Sequence, residues 1–261
     1  MSYNHLRQLE EVKDWLGVTK ITNNALGQAL GVTYPDGKSV SYEYDINGNR
    51  TALTYPDGKK ISYIYDALGR LSKLENDDHE VSYRYDAQSK LIEKAFANGV
   101  KTTYVYNGRG LLESLVHSNN DGVINEFSYD YDLLGNKTRV SKKRNLSYND
   151  NGLYEYGYDP LARLHTVSKD SSPLRTYHYD AYGNRTSLED YSYNLSAPAK
   201  TQYEYNSLNQ LIAKADSFGV EHYSYDKRGN LSAITLDGAI KNTYIYGAIN
   251  RLEHATNAQD S

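Results

Sequence analysis

One stretch, Tyr63-Ile64-Tyr65-Asp66-Ala67-Leu68-Gly69-Arg70-Leu71, recurs with small changes along almost the whole chain. Written as Tyr-x-Tyr-Asp-x-x-Gly-Arg/Asn-Leu and registered on the Asp position, its copies fall at Asn4, Asn24, Asp45, Asp66, Asp86, Asn107, Asp132, Asp159, Asp180, Asn206, Asp226 and Gly247. The steps between them are 20, 21, 21, 20, 21, 25, 27, 21, 26, 20 and 21 residues. Self-similarity at a near-fixed period constrains the fold more than any local propensity, because each unit must be the same supersecondary element. No single unit of this length buries its own apolar face, so residues 1–261 are expected to form one array of about twelve repeats rather than separate domains. The first copy is entered part-way, and the expectation is a segment of a longer array.

The composition follows from the repeat. Tyr accounts for 28 residues against 3 Phe and 1 Trp, as a motif with two Tyr per copy requires. A net charge of -4 with scattered basic residues gives no electrostatic footprint for nucleic acid. The absence of Cys excludes disulfides and thiolate metal sites. No apolar run approaches transmembrane length. Met1-Ser2-Tyr3-Asn4 carries neither the basic nor the apolar region of a signal peptide.

Each copy reads as a β-hairpin. Asp45 to Gly48, Asp66 to Gly69, Asp132 to Gly135, Asp180 to Gly183 and Asp226 to Gly229 form one turn type, in which Asp bonds nearby backbone and Gly supplies positive φ. Pro35-Asp36-Gly37, Pro56-Asp57-Gly58, Asn98-Gly99, Asp121-Gly122 and Asp237-Gly238 form the other, a strong hairpin signal. In Lys59–Tyr65 the period of two puts Ile61, Tyr63 and Tyr65 on one face and Lys60, Ser62 and Ile64 on the other. Leu71 and Leu74, echoed as Leu164 and Val167, Leu231 and Ile234, and Leu9 and Val12, are three apart, which a regular strand does not keep on one face. Either a bulge intervenes or the first Leu packs beneath the turn. Leu6–Leu16 has charges and Leu at helical spacing. The register of Asn4–Leu9 with Asn206–Leu211 nevertheless makes this stretch β, with Lys13-Asp14-Trp15-Leu16-Gly17 in the place of Tyr55-Pro56-Asp57-Gly58. The long steps put extra residues in Leu115 to Glu126, Val140 to Leu153 and Glu189 to Ala199, where lengthened hairpin tips are expected. About 24 strands at ~4.8 Å make a ribbon roughly 115 Å wide. Open sheets of that width do not stay flat. The fold class is therefore all-β: antiparallel hairpin repeats of about 21 residues in a curled, spiral sheet.

The motif with Tyr55-Pro56-Asp57-Gly58-Lys59 ahead of it resembles the RHS or YD repeat, and the resemblance runs through essentially the whole chain. That family includes RHS polymorphic toxins, the C components of insecticidal toxin complexes, wall-associated bacterial proteins and teneurins. The resemblance implies a β-sheet spiral building a hollow shell that often encloses a toxic C-terminal domain. Bacterial members end their repeats in a core with an Asp-Pro-x-Gly-Leu motif linked to self-cleavage. Asp159-Pro160-Leu161-Ala162 lacks the Gly-Leu and reads as the repeat's own turn, and no toxin domain follows Leu252. Self-cleavage and toxicity are not carried over.

No residue is singled out as catalytic, cofactor-binding or metal-ligating. Asn replaces the repeated Asp at Asn4, Asn24, Asn107 and Asn206, which suits turn capping and not acid–base chemistry, so Asp66→Asn is expected to be nearly silent. His117–Ser128 has the wrong residues at the first and twelfth positions of a calcium loop and reads as a hairpin tip. His5, His79, His117, His165, His178, His222 and His254 show no metal-ligand spacing. Ser lacks a nucleophile-elbow context, and Gly lies at turns rather than in a phosphate loop. The Tyr side chains allow two readings: sheet packing, which is favoured, or stacking on sugars.

The expected function is thus a non-enzymatic shell segment that encapsulates or scaffolds a toxin or other cargo, secreted or displayed at the cell surface. The alternative is an extracellular carbohydrate-binding or adhesion module using exposed Tyr. Expected partners are neighbouring repeats of a longer parent chain, or a second copy meeting the open strand edges near Ser2 and Leu252, with an enclosed cargo or a glycan besides.

Overall fold

The structure, a computed structural model, describes residues 1–145 and 150–258. It is all-β, with 24 strands and no helix among the described residues. Two compact units divide the chain, Met1–Phe127 and Ser128–Ser261. In the first, antiparallel pairing runs strand to next strand from Ser2–Tyr3 to Leu112–Asn119. The second repeats the pattern from Lys137–Arg144 to Leu252–Asn257. Within each unit every strand contacts only its chain neighbours, so each is a meander of one layer.

The first thirty residues are β, as the register requires. Strands Leu9–Asp14 and Gly17–Asn23 pair with Asp14 opposite Gly17, leaving Trp15 and Leu16 as a two-residue turn. Helical spacing of charges and Leu is overridden there by strand pairing with the next copy.

The Leu71 and Leu74 spacing resolves as a bulge. Tyr63 faces Leu74, Ile64 faces Lys73, and Tyr65 faces Leu71, so Ser72 has no partner. The extra residue restores both leucines to the tyrosine face. The same shift puts Leu53 and Arg50 opposite Tyr42 and Tyr44, Val167 and Leu164 opposite Tyr156 and Tyr158, and Ile234 and Leu231 opposite Tyr223 and Tyr225. Each copy therefore builds one aromatic and aliphatic face. A single layer covers that face only partly. Among the described residues just Ala52, Leu53, Val140, Ala213 and Thr102 are buried.

The long steps do not all behave alike. Glu189 to Ala199 is a true loop between strands Arg185–Asp190 and Ala199–Tyr205. The extra residues of Leu115 to Glu126 instead lengthen the strands Leu112–Asn119 and Gly122–Tyr131, and the tip is a tight Asn120-Asp121 turn. Their alternating composition extends the strands further than a tip insertion would. In Val140 to Leu153, Asn151 accepts from the Arg144 N–H and donates to its carbonyl, both at 3.1 Å. Residues 146–149 of that stretch lie outside the described residues.

Candidate functional site

The groups with the most chemical potential in this chain are the repeated carboxylates and tyrosines, and the structure shows what each one touches. At Asp66 the backbone N–H donates to the Arg70 carbonyl and the Gly69 N–H donates back to the Asp66 carbonyl, each at 2.9 Å. The same frame closes the Pro-Asp-Gly turn, where the Tyr55 N–H reaches the Lys59 carbonyl and the Gly58 N–H the Tyr55 carbonyl. Both are three-residue hairpin loops with a residue of positive φ at the bulge position. In five copies that residue is not Gly: Arg7, Ser89, Ala162, Asn209 and Asn250 adopt φ of 62°, 64°, 59°, 58° and 58°.

The Asp66 carboxylate is fully engaged. Oδ1 accepts the Leu68 and Arg70 N–H groups at 2.9 and 3.0 Å, and Oδ2 accepts from Arg70 Nε at 2.7 Å. The guanidinium reaches on to the next copy, donating to the Asp86 carbonyl and to Ser89 Oγ. Asp159 and Arg163 repeat this, with Arg163 Nη1 donating to the Asp180 carbonyl at 2.8 Å. At Asp45, Asp132, Asp180 and Asp226, Oδ2 instead accepts from the amide of an Asn four residues on.

Where the turn residue is Asn, its partner changes as well. Asn4, Asn24 and Asn206 donate through Nδ2 to Oε1 of Gln8, Gln28 and Gln210 at 2.7–2.8 Å. Those glutamines in turn donate to carbonyls of the next copy at Asn24, Gly48 and Gly229. An ionised Asp offers only acceptors and takes a donor. Asn presents a donor and takes the Gln acceptor. Asn107, followed by Leu111, has no such side-chain partner in its sequence position. The expectation that Asp66→Asn is silent therefore changes: Asn replaces Asp together with its partner, and Asn at position 66 would turn an amide donor toward the donors of Arg70.

These contacts set the protonation state. The Arg70 backbone N–H is the largest influence holding Asp66 below the ordinary carboxylate range, and the Arg163 N–H does the same for Asp159. For Asp45, Asp132, Asp180 and Asp226 the leading cause is the Asn side-chain amide four residues on. Carboxylates held ionised with their lone pairs occupied are poor proton shuttles.

The tyrosine hydroxyls are also occupied. The second Tyr of the motif donates to a backbone carbonyl of the preceding copy at Tyr44 to Ala29, Tyr65 to Arg50, Tyr85 to Leu71, Tyr106 to Leu91, Tyr158 to Lys137, Tyr179 to Leu164, Tyr205 to Arg185 and Tyr225 to Leu211. The eight distances run from 2.7 to 3.1 Å. In seven of the eight the carbonyl belongs to the residue just before the unpaired one of the bulge, as with Leu71 before Ser72 and Arg50 before Thr51. Bulge and hydroxyl are one device, in which the ladder is interrupted in one copy and the next copy's Tyr bonds the carbonyl beside the gap. Phe would fill the same space without this bond. Burial pushes Tyr65, Tyr158, Tyr179, Tyr205 and Tyr225 above the usual phenol range. The glycan reading loses these hydroxyls. The two most exposed Tyr rings, Tyr182 and Tyr193, lie outside the strands and not on the repeated face.

The histidines are dispersed as strand and turn residues. His117 Nδ1 shares a hydrogen bond with buried Thr102 at 2.8 Å, and the His165 and His178 rings meet edge to face 5.4 Å apart. No group of three His, Asp or Glu among the described residues is placed to hold a metal ion.

Two residues on the tyrosine face escape a motif-based reading. Arg50 and Arg185 stand where eight of the twelve copies have Leu, the other departures being Ala29 and Lys137, and each guanidinium lies between tyrosines. Arg50 is 4.6 Å from the Tyr63 ring centre and 5.9 Å from that of Tyr42. Arg185 is 4.5 Å from Tyr203 and 5.9 Å from Tyr177. Each donates through Nη2 to the hydroxyl of the nearer ring, at 3.1 and 3.0 Å. The available sequence signal was the departure from Leu at the position two after Gly48 and two after Gly183.

Comparison with known proteins agrees with this lattice. The RHS repeat family model matches residues 24–60 and 47–81, and the teneurin YD-shell model matches residues 136–260. No curated protein matches the sequence. A TcdB2–TccC3 crystal structure is similar at a TM-score of 0.66 and 19% identity, over 98% of this chain and 17% of that one. A Photorhabdus luminescens Tc holotoxin pore gives 0.63 and 18%, over 98% and 16%. A TcdB2–TccC3 structure without its hypervariable C-terminal region gives 0.64 and 18%, over 94% and 16%. At these identities the likeness is one of fold, and this chain spans about a sixth of the solved chains. Among the described residues no helix is long and apolar enough to cross a membrane. The Tyr-x-Tyr-Asp turns, the hairpin ladder and the two family matches lead to one conclusion: the chain belongs to the RHS/YD-repeat proteins.

Proposed function

We propose that this chain is a non-catalytic wall segment of an RHS/YD shell, in which the two units are consecutive stretches of one array of about twelve repeats. The array curls as part of a longer polypeptide and encloses or scaffolds a toxin or other cargo that acts outside the cell that makes it. One observation carries the reading. The repeated reactive side chains are bonded within the ladder: carboxylates to their own turns and to the side chain four residues on, tyrosine hydroxyls to the bulges of the preceding copy. A surface whose polar groups serve its own continuity acts by shape and rigidity. The fold shared with TcdB2–TccC3 structures supports the same reading.

The test is protease sensitivity of the cargo in the full polypeptide carrying this array. An intact wall keeps the cargo resistant to added protease. Replacing Tyr63 and Tyr65 by Ala removes two rings and two bonds to the preceding copy, and should open the wall locally and admit cleavage. A cargo cut at the same rate in both proteins would overturn the proposal.

A further inference from the structure

We propose that the tyrosine face carries two binding positions for carboxylate side chains, one at Arg50 and one at Arg185, and that their occupant is an acidic polypeptide segment laid against the sheet.

Three features single these arginines out. They are the same position in two different units, held in the same way, with a Tyr ring at 4.6 or 4.5 Å, a second at 5.9 Å and an Nη2 bond to a Tyr hydroxyl. The two arginines four residues after a turn Asp have carboxylate partners: Arg70 with Asp66 at 2.7 Å and Arg163 with Asp159 at 2.6 Å. Arg50 and Arg185 form no ion pair among the described residues. Asp45 and Asp180, the turn carboxylates just ahead of them, are occupied by Asn49 and Asn184.

Arginine at this position is also unfavourable for the ladder itself. The Nε–H of Arg50 is buried and has no acceptor among the described residues. Leu satisfies the position in other copies, at Leu71, Leu164, Leu211 and Leu231 facing Tyr65, Tyr158, Tyr205 and Tyr225. An arginine with no ion pair among the described residues, where eight of the twelve copies have Leu, is explained by a counter-charge supplied from outside. The rings hold the guanidinium in one orientation, and a fixed fork on a partly apolar surface favours a planar carboxylate. Aromatic residues and Arg are also the side chains enriched at recognition surfaces.

The occupant is a polypeptide rather than a nucleic acid. Two isolated guanidiniums in a chain of net charge -4 suit separate carboxylates, whereas a nucleic-acid backbone is met by a clustered basic stripe. Acidic side chains spaced along an extended segment supply such single carboxylates. The inference deepens the wall reading by stating what the tyrosine face meets.

The probes are three fluorescently labelled peptides of equal length: Glu alternating with Ala, the Gln counterpart and the Lys counterpart. Anisotropy is followed with the whole chain at low and at physiological salt, beside a single-stranded oligonucleotide. The test variant is Arg50→Leu with Arg185→Leu, which installs the array's own residue and should melt at or above the wild-type temperature. The control, Arg84→Leu with Arg139→Leu, removes the same charge from the opposite face. The expected result is binding of the Glu peptide over the Gln and Lys peptides, weakened about tenfold or more in the test variant and little in the control. Arg50→Lys with Arg185→Lys should recover only part of it. The proposal is overturned if the Glu peptide does not bind, if it binds the test variant like wild type, if the control loses as much, or if the oligonucleotide is preferred. These readouts do not involve cargo protection, so either proposal can fail alone.

Discussion

The inter-copy tyrosine bond makes a quantitative demand on stability. Tyr65 Oη donates to the Arg50 carbonyl at 2.9 Å, a neutral hydrogen bond between one copy and the one before it. Tyr65→Phe keeps the ring and leaves no cavity. It removes a bond worth about 0.5–1.5 kcal/mol net. For a chain of this size ~1 kcal/mol corresponds to roughly 2–4 °C in Tm. Eight tyrosines make the equivalent bond, so replacing all eight removes about 4–12 kcal/mol if the losses add. That is most of the stability a folded domain ordinarily has, about 5–15 kcal/mol. Single variants should each lose a few degrees in thermal melts, and the eightfold variant should fail to fold. Tyr182 is the control, since it is 82% exposed and lies in a turn outside the ladder. If Tyr65→Phe and Tyr85→Phe melt like wild type, or Tyr182→Phe loses as much, the hydroxyls do not couple the copies.

The turn pairing predicts a rescue: Asp66→Asn should lower the Tm, while Asp66→Asn with Arg70→Gln, which recreates the Asn4 and Gln8 pair, should restore most of it. Asp45→Asn should be milder, because the Asn49 amide can turn its oxygen toward the new donor. Ala162 holds φ at 59°, so Ala162→Gly should raise stability by about 0.5–1 kcal/mol in urea unfolding. The turn carboxylates have pKa values lowered from 3.8 on folding, so their contribution is complete above that value and is lost as pH falls through the folded values below it; melts against pH should fall only in that acid window. Tyrosines raised above 10.0 act with the opposite sense: their contribution is complete below pH 10 and is lost as pH rises beyond it, so alkaline unfolding should coincide with the growth of tyrosinate absorbance.

The hairpin array was legible because one unit recurs many times, so register could arbitrate where local pattern misled. Leu6–Leu16 is the clearest case: its spacing is helical, yet its alignment with Asn206–Leu211 gave strands. The spacing of Leu71 and Leu74 revealed that something interrupted the strand, but only pairing could identify Ser72 as the unpaired residue. The strand extension at Leu112–Asn119 was missed because insertion length does not distinguish a longer tip from longer strands. The Asn and Gln pairing was visible in the letters, at Asn4 with Gln8 and Asn206 with Gln210. Its meaning required seeing which atom faces which. Arg50 and Arg185 were overlooked because the motif was read for what recurs, and these two positions matter by departing from it.

The central claim is that each copy is closed onto the next by its own side chains. Native-state hydrogen exchange of the whole chain, resolved by peptide, tests it most directly when wild type is compared with Tyr65→Phe. The account predicts protected amides in Lys60–Tyr65 and Leu71–Glu75, and faster exchange in the variant confined to the copies that Tyr65 joins, from Arg50–Thr54 to Leu71–Glu75. Unchanged exchange there, or loss of protection spread evenly over both units, would contradict it.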